Sequence, residues 1–327
     1  MLTELAVLVL GFAASFLSMP VVIQKMRMKR IVGVDIHKKD RPVVPEMGGI
    51  AVLIGLTVSV SVAILLSPEN MMMLISFFST TLIAGIIGAV DDLKTLSAKV
   101  KPLLTLFASL PILLLGTYNP HPVFPLIGQT RMTLVYPLLI PFVTAVTSNA
   151  VNMMDPFNGT MSGSCSIVTL ILLVSAFILG HNDALILCLC LLGPVLVLYY
   201  FNRYPSKVFS GDVGSLSIGA ALGAIAILGR LEIVAIVAFA PQMMNAFYGL
   251  STIGRLYERR EVSRPITILD DGRLMANADP KAPITLARVV LARGPLSEYE
   301  AARVFLILSF ISGILAILTA YLIVVIP

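Results

Sequence analysis

Long apolar runs separated by short segments rich in polar residues dominate the sequence. Eight runs are long enough to cross a bilayer as helices, each of which needs about 17–25 residues: 5–23, 48–66, 71–90, 160–180, 184–201, 213–229, 233–253 and 304–325. Two shorter runs, 103–116 and 133–148, carry Pro111 and Pro141 and reach spanning length only if tilted, kinked or extended by their neighbours. Counting both, the pattern predicts an all-α polytopic membrane protein with about ten transmembrane helices. An even number of crossings leaves both chain ends on the same side. Glu4 precedes the first run and basic residues follow it, the reverse of a signal peptide, so an uncleaved first span is expected.

Composition narrows this picture. Hydrophobic residues make up 57% of the 327 positions and charged residues 13%, about half the charged share of a soluble domain. The longest polar segment, 254–300, is too short to fold alone, so a single membrane-embedded domain over 1–327 is expected. Cys165, Cys188 and Cys190 all fall inside apolar runs and read as small core residues. The segments 24–46, 91–101, 149–159, 201–212 and 254–303 hold every one of the 23 Lys and Arg except Arg131 and Arg230. Positive loops face the cytoplasm, which places these five segments there and both termini outside. The net charge of +5 is therefore a cytoplasmic feature. It suits anionic head groups of the lipid bilayer or anionic substrates, and gives no reason to invoke nucleic acid.

The candidate chemistry lies in the same segments. Asn149-Ala150-Val151-Asn152-Met153-Met154-Asp155-Pro156-Phe157-Asn158-Gly159 gathers side-chain oxygens between apolar runs. Asn149, Asn152 and Asp155 recur every three residues and would share a helix face, a donor set suited to a hard cation or to a self-bonded cap and turn. Asp91 and Asp92 end the third span, where adjacent carboxylates need a cation or hydrogen-bond donors. Lys101 could return to neutralise them or meet a phosphate. Asp212, after Phe209-Ser210-Gly211, reads either as a helix N-cap or as a third carboxylate of a metal site. The first loop, Asp35 to Gly49, is basic and stiffened by Pro42 and Pro45. The last carries Arg255, Arg259, Arg260 and Arg264, whose forks match phosphate oxygens or lipid head groups. Gln242 and Asn245 suit hydrogen bonding between helices. Of the three histidines only His37 falls on the cytoplasmic face, which argues against a His-based metal site.

Taken together, Asp35…Lys38…Arg41-Pro42…Pro45-Glu46…Gly48, Asp91-Asp92, Asn149…Asn152…Asn158-Gly159 and Tyr204-Pro205-Ser206-Lys207-Val208-Phe209…Gly211-Asp212 resemble the polyprenyl-phosphate N-acetylhexosamine-1-phosphate transferases in order and spacing. The resemblance covers nearly the whole chain. It is strongest to the archaeal and eukaryotic branch that transfers GlcNAc-1-phosphate from UDP-GlcNAc to dolichyl phosphate, because the last loop has arginines and no His-rich motif. Asp155 and Pro156 depart from that branch, Asp155 resembling the bacterial members.

What the resemblance implies is specific. Asn152 and Asp212 would ligate Mg²⁺ (or Mn²⁺) with the substrate diphosphate, and Asp91, Asp92 and Lys101 would be catalytic or would position the acceptor phosphate. Asn149, Phe209 and Asn158 would bind substrate, the last two at the uracil, with Glu46 shaping the nucleotide end and Arg260 and Arg264 holding phosphates. UDP-GlcNAc and a polyprenyl or dolichyl phosphate are the expected partners, in a monomer or a homodimer. The rival is a cation-coupled transporter, which would carry midspan carboxylates and internal repeats; here the carboxylates stand at span ends and no repeat is visible.

Overall fold

A computed structural model describes residues 2–254 and 262–325. With no water in a bilayer core to satisfy N–H and C=O groups, an apolar chain of this kind is driven into helices. In chain order these are α1 (Leu2–Met28), α2 (Gly49–Leu66), α3 (Met71–Leu93), α4 (Val100–Phe107), α5 (Leu110–Leu114), α6 (Val135–Met153) and α7 (Thr160–Leu179). They continue with α8 (Asn182–Asn202), α9 (Gly211–Leu228), α10 (Glu232–Ala238), α11 (Ala240–Ile253), α12 (Leu286–Val290) and α13 (Glu298–Val325).

Among the described residues, eight helices are long and apolar enough to cross a membrane: α1, α2, α3, α6, α7, α8, α9 and α13. The run at 233–253 is not one straight helix. It breaks at Phe239 into α10 and α11, bent by 65°, where Pro241 in the first turn of α11 lacks the N–H that would continue the ladder. Pro141 lies within α6 without ending it. The run at 103–116 divides into α4 and α5, with Pro111 in the first turn of α5. Lys101 at the start of α4 pairs with Asp212, while Thr117 Oγ1, past α5, donates to Ser76 Oγ in the first half of α3 at 2.9 Å. The pair α4–α5 thus runs from one end of the bundle to the other.

The expectation of an all-α chain needs one correction. Three two-stranded antiparallel ribbons occur outside the bundle: β1 (Val32–Val34) with β2 (Val43–Pro45), β3 (Val123–Phe124) with β4 (Gly128–Gln129), and β5 (Ile266–Ile268) with β6 (Leu274–Ala276). These short segments between turns pair locally because a bare loop would leave its backbone groups unmatched.

Helix α9 is the axis of the bundle, with 89% of its residues buried and α3 and α6 packed on either side, whereas in the most apolar stretches of α1 and α13 only 28% of residues are buried, and these helices form the outer wall. Leu65, Phe177, Ile307 and Tyr321 are among the large side chains that face outward, as an apolar solvent permits. The three cysteines are free and buried, as core packing requires. Asn245 joins the end of α6 to α12, donating to Met153 O at 2.7 Å and accepting from Leu286 N at 2.9 Å. Gln242 does not follow it: both of its amide atoms are buried without a hydrogen-bond partner among the described residues.

All five polar segments meet at one end. Gly48 and Gly49 donate to Phe209 O and Ser210 O, both at 2.9 Å, joining the first segment to the fourth. Met154 and Phe157 share a small core with Ile266, Leu274, Leu286, Leu291 and Phe305, seating the last segment on the third.

Candidate active site

The site is built where α9 begins. Gly211 has φ +68°, and a Cβ there would lie 2.6 Å from Asp92 Oδ2, so this turn into the helix needs glycine. Asp92, at the end of α3, then caps α9 from outside: its Oδ1 accepts from Asp212 N at 2.7 Å and its Oδ2 from Val213 N at 3.0 Å. Two otherwise orphaned N–H groups are satisfied by a carboxylate at the positive end of a helix dipole. Gly88 permits the approach, because a Cβ on it would collide with the Asp212 carbonyl. Asp212 is therefore not itself the cap, and its carboxylate is turned toward two other elements.

Those elements are α4 and α6. Lys101 Nζ bridges the carboxylates of Asp91 and Asp212, at 2.5 Å from Asp212 Oδ2. Asn152 Nδ2 donates to Asp212 Oδ1 at 2.5 Å and to Ser215 Oγ at 2.8 Å. Asp91 is deep, its side chain 4% exposed and its Oδ1 accepting from Leu96 N, whereas Lys101 and Asp212 are 21% and 27% exposed. Only the Lys101–Asp212 side of the cluster can be reached by a ligand. Ser215, an ordinary serine in an apolar run of the sequence, sits three residues after Asp212 on the same helix face.

Glu46 and Phe209 form the next layer, both lying against Gly33 of β1. Burial, reinforced by the negative charge of Asp212, raises the Glu46 pKa above its ordinary value of 4.5. Ser210 Oγ donates to Asp155 Oδ2 at 2.7 Å, drawing the turn after α6 toward the start of α9.

Asn158 is anchored on two sides. Its Nδ2 donates to Asp35 Oδ2 at 2.9 Å and its backbone N–H to Glu298 Oε1 at 3.0 Å. Glu298 carried no sequence signal, standing as an ordinary acidic residue at a helix start. His37, the one histidine expected on the cytoplasmic face and too solitary there to suggest a His-based metal site, is brought beside Asp35 and Glu298, with donor atoms of all three within 4.8 Å of one another.

Other expected site residues lie elsewhere. Asn149 Nδ2 donates to Thr105 Oγ1 at 2.9 Å and Ala145 O at 2.8 Å, so it fastens α6 to α4 and does not join Asn152 on Asp212. Arg264 is exposed just before β5, its carbonyl accepting from Asn277 Nδ2 at 2.7 Å. Arg255, Arg259 and Arg260 lie outside the described residues.

The donor set suits a hard divalent cation. Two carboxylates, Asp91 and Asp212, already converge on a positive charge, that of Lys101, and Asn152 adds an amide beside them. Mg²⁺ is commonly held by one or two carboxylates, the remainder of its shell being water and substrate phosphate.

Comparison with known proteins agrees with the region so assembled. A family model described as glycosyl transferase family 4 matches residues 74–230, which contain Asp91, Lys101, Asn152 and Asp212 but neither Glu46 nor the last-loop arginines. A Methanocaldococcus jannaschii protein provisionally named a glycosyltransferase is 32% identical over 301 residues, covering 91% of this chain and 92% of its own. A Saccharolobus solfataricus protein, provisionally named UDP-N-acetylglucosamine–dolichyl-phosphate N-acetylglucosaminephosphotransferase, is 26% identical over 95% of both chains. The phospho-N-acetylmuramoyl-pentapeptide-transferase of Bacillus licheniformis is 29% identical over 70% of this chain and 76% of its own. With 32% identity to the Methanocaldococcus jannaschii protein over 91% of the chain, and a family model that spans Asp91 to Asp212, the chain belongs to glycosyl transferase family 4.

Proposed function

We propose that the protein transfers GlcNAc-1-phosphate from UDP-GlcNAc to a polyprenyl phosphate of the dolichyl type, releasing UMP, as the first membrane step of a lipid-linked oligosaccharide. The observation that carries this reading is the bridging of Asp91 and Asp212 by Lys101, with Asn152 on the far oxygen of Asp212. Four separate elements converge there to make a site of paired anions and one cation, open to solvent on the side of Lys101 and Asp212. Similarity favours the dolichyl acceptor, since the archaeal relatives so named align over 94–95% of this chain, and the pentapeptide transferases over less.

The chemistry asks little base strength of the protein. A phosphate monoester has a second pKa near 6 and is already largely ionised at neutral pH. Its oxygen would attack the β-phosphorus of UDP-GlcNAc, the bond to the bridging oxygen would break, and UMP would leave, so one diphosphate linkage replaces another. The larger demand is to bring two anions together and to stabilise charge on the transferring phosphoryl group.

Lys101 would meet the incoming phosphate oxygens, while buried Asp91 and the capping Asp92 keep Lys101 and Asp212 in place. Asp212, with Asn152 beside it, would hold Mg²⁺ or Mn²⁺, which when bound supplies positive charge to the diphosphate. Asn158, Phe209 and Glu46 would take the nucleotide end, and Arg264 with Arg260 the phosphates from the last loop. We further infer ten crossings, with the site facing the cytoplasm, where nucleotide sugars are made.

Purified protein in detergent with Mg²⁺, dolichyl phosphate and UDP-GlcNAc is expected to release UMP, and Asp212→Asn to lower turnover by roughly 10²–10³-fold, as loss of one transition-state charge partner does. No UMP from any of a panel of UDP-sugars and polyprenyl phosphates would overturn the proposal.

A further inference from the structure

Beyond the Asp91–Asp212 cluster, a second group of ionisable side chains is gathered where the first loop meets the start of α13. Asp35 and Glu298 are 3% and 5% exposed, and His37 is half-buried beside them. Asp35 O, N and carboxylate all come from the turn between β1 and β2, where Asp35 N donates to Pro42 O at 2.9 Å. Glu298 opens α13. Nothing in the transfer chemistry above uses these three residues together.

Two buried carboxylates side by side are costly unless cations or donors offset them. Lys38 offsets one: its Nζ is paired with Asp35 Oδ2, the oxygen that also accepts from Asn158 Nδ2. On Glu298, Oε1 accepts from Asn158 N, but Oε2 is buried with no hydrogen-bond partner among the described residues. A buried oxygen left in this state is unusual among native side chains and calls for an explanation. Donor atoms of Asp35, His37 and Glu298 lie within 4.8 Å of one another. A metal with bonds of ~2.1 Å would draw them to roughly 3.4 Å, a movement that side-chain rotation can supply.

We propose that Asp35, His37 and Glu298 bind a divalent transition-metal ion of the Zn²⁺ class at a structural site separate from the phosphate-transfer cluster. One imidazole and two carboxylates form a mixed nitrogen and oxygen set that suits borderline cations better than Mg²⁺ or Ca²⁺, which favour oxygen alone. His37 also packs its ring on Phe157, centroids 5.4 Å apart, which limits how the imidazole can turn. The ion would tie the first loop and α13 to Phe157 and Asn158. His37, only partly buried, leaves a route of entry from the polar end.

The test uses full-length protein in detergent, stripped with a chelator and titrated with Zn²⁺ alone against a chromophoric competitor. Wild type and Asp212→Asn are expected to share one tight Zn²⁺ site per chain with the same affinity, any weaker binding at the Asp212 cluster being outcompeted by the chromophore. His37→Asn and Glu298→Gln are expected to bind at least ~10–100-fold more weakly, since even the loss of an outer-shell partner has that effect. Glu298→Gln keeps an acceptor for Asn158 N, and His37→Asn, at a half-exposed position, carries the test if the first variant does not fold. No tight Zn²⁺ binding by wild type, or equal affinity in His37→Asn, would overturn the proposal. So would loss of the ion in Asp212→Asn, which would place it at the other cluster.

Discussion

Asp212 meets Lys101 and Asn152 only because Asp92 holds the backbone that carries it. Adjacent aspartates in the sequence thus separate in role: Asp91 faces the ammonium and Asp92 the helix start. The chemistry-bearing types were legible as a cluster, but this division was not, since it depends on α3 and α9 touching at Gly88. Asn149 shows the limit of spacing rules. Residues three apart on a helix differ by roughly 60° in direction, enough for Asn149 to face α4 while Asn152 faces α9. Asp155 lies past the end of α6, where helical spacing no longer applies. At this scale Glu46 gives a pH prediction. Its pKa is raised in the fold by burial and by Asp212, so its ionisation lowers stability as pH climbs from below 4.5 through the raised value. Glu46→Gln lacks that loss. Thermal unfolding should therefore show the variant more stable than wild type near neutral pH, with the difference vanishing toward pH 4; a constant difference would contradict the assignment.

At the scale of elements, the site is a junction of helix ends, and the quality of their packing sets its geometry. The close approach of α3 to α9 makes Gly88→Ala the sharpest probe, because the added methyl meets backbone and not a movable side chain. Overpacking of this kind costs about 1–3 kcal/mol. The expected result is a lower melting temperature together with reduced turnover, as the start of α9 and Asp212 shift; unchanged turnover would show that the contact does not position the site. Element existence was readable from apolar runs because the bilayer admits little but helices. The break at Phe239 was less so: Pro241 was visible, but a 65° bend between α10 and α11 depends on the neighbours each half finds, α13 and α7 for one and α6 for the other. The ribbons β1–β2 and β5–β6 are not legible in the sequence because three-residue strands carry almost no periodic signal.

At the scale of the molecule, the distribution of Lys and Arg and the convergence of five polar segments describe the same end of the bundle. The sequence displays this asymmetry directly, since charge is sorted by side of the membrane. Impermeant maleimide labelling of intact cells tests the orientation inferred from it. Lys39→Cys and Arg131→Cys place thiols at exposed positions in the first loop and before α6, and the native cysteines are buried. Labelling is expected for Arg131→Cys in intact cells, and for Lys39→Cys only after permeabilisation; the reverse pattern would invert the topology.

Family membership leaves one choice on which the account turns, whether the sugar moves alone or with its phosphate. UDP-GlcNAc radiolabelled at the β-phosphorus decides it, with the purified protein, Mg²⁺ and dolichyl phosphate, followed by separation of lipid and aqueous phases. A cluster built to bring two phosphates together predicts label in the lipid product, with unlabelled UMP released. Label retained in aqueous UDP while the sugar enters the lipid would contradict it.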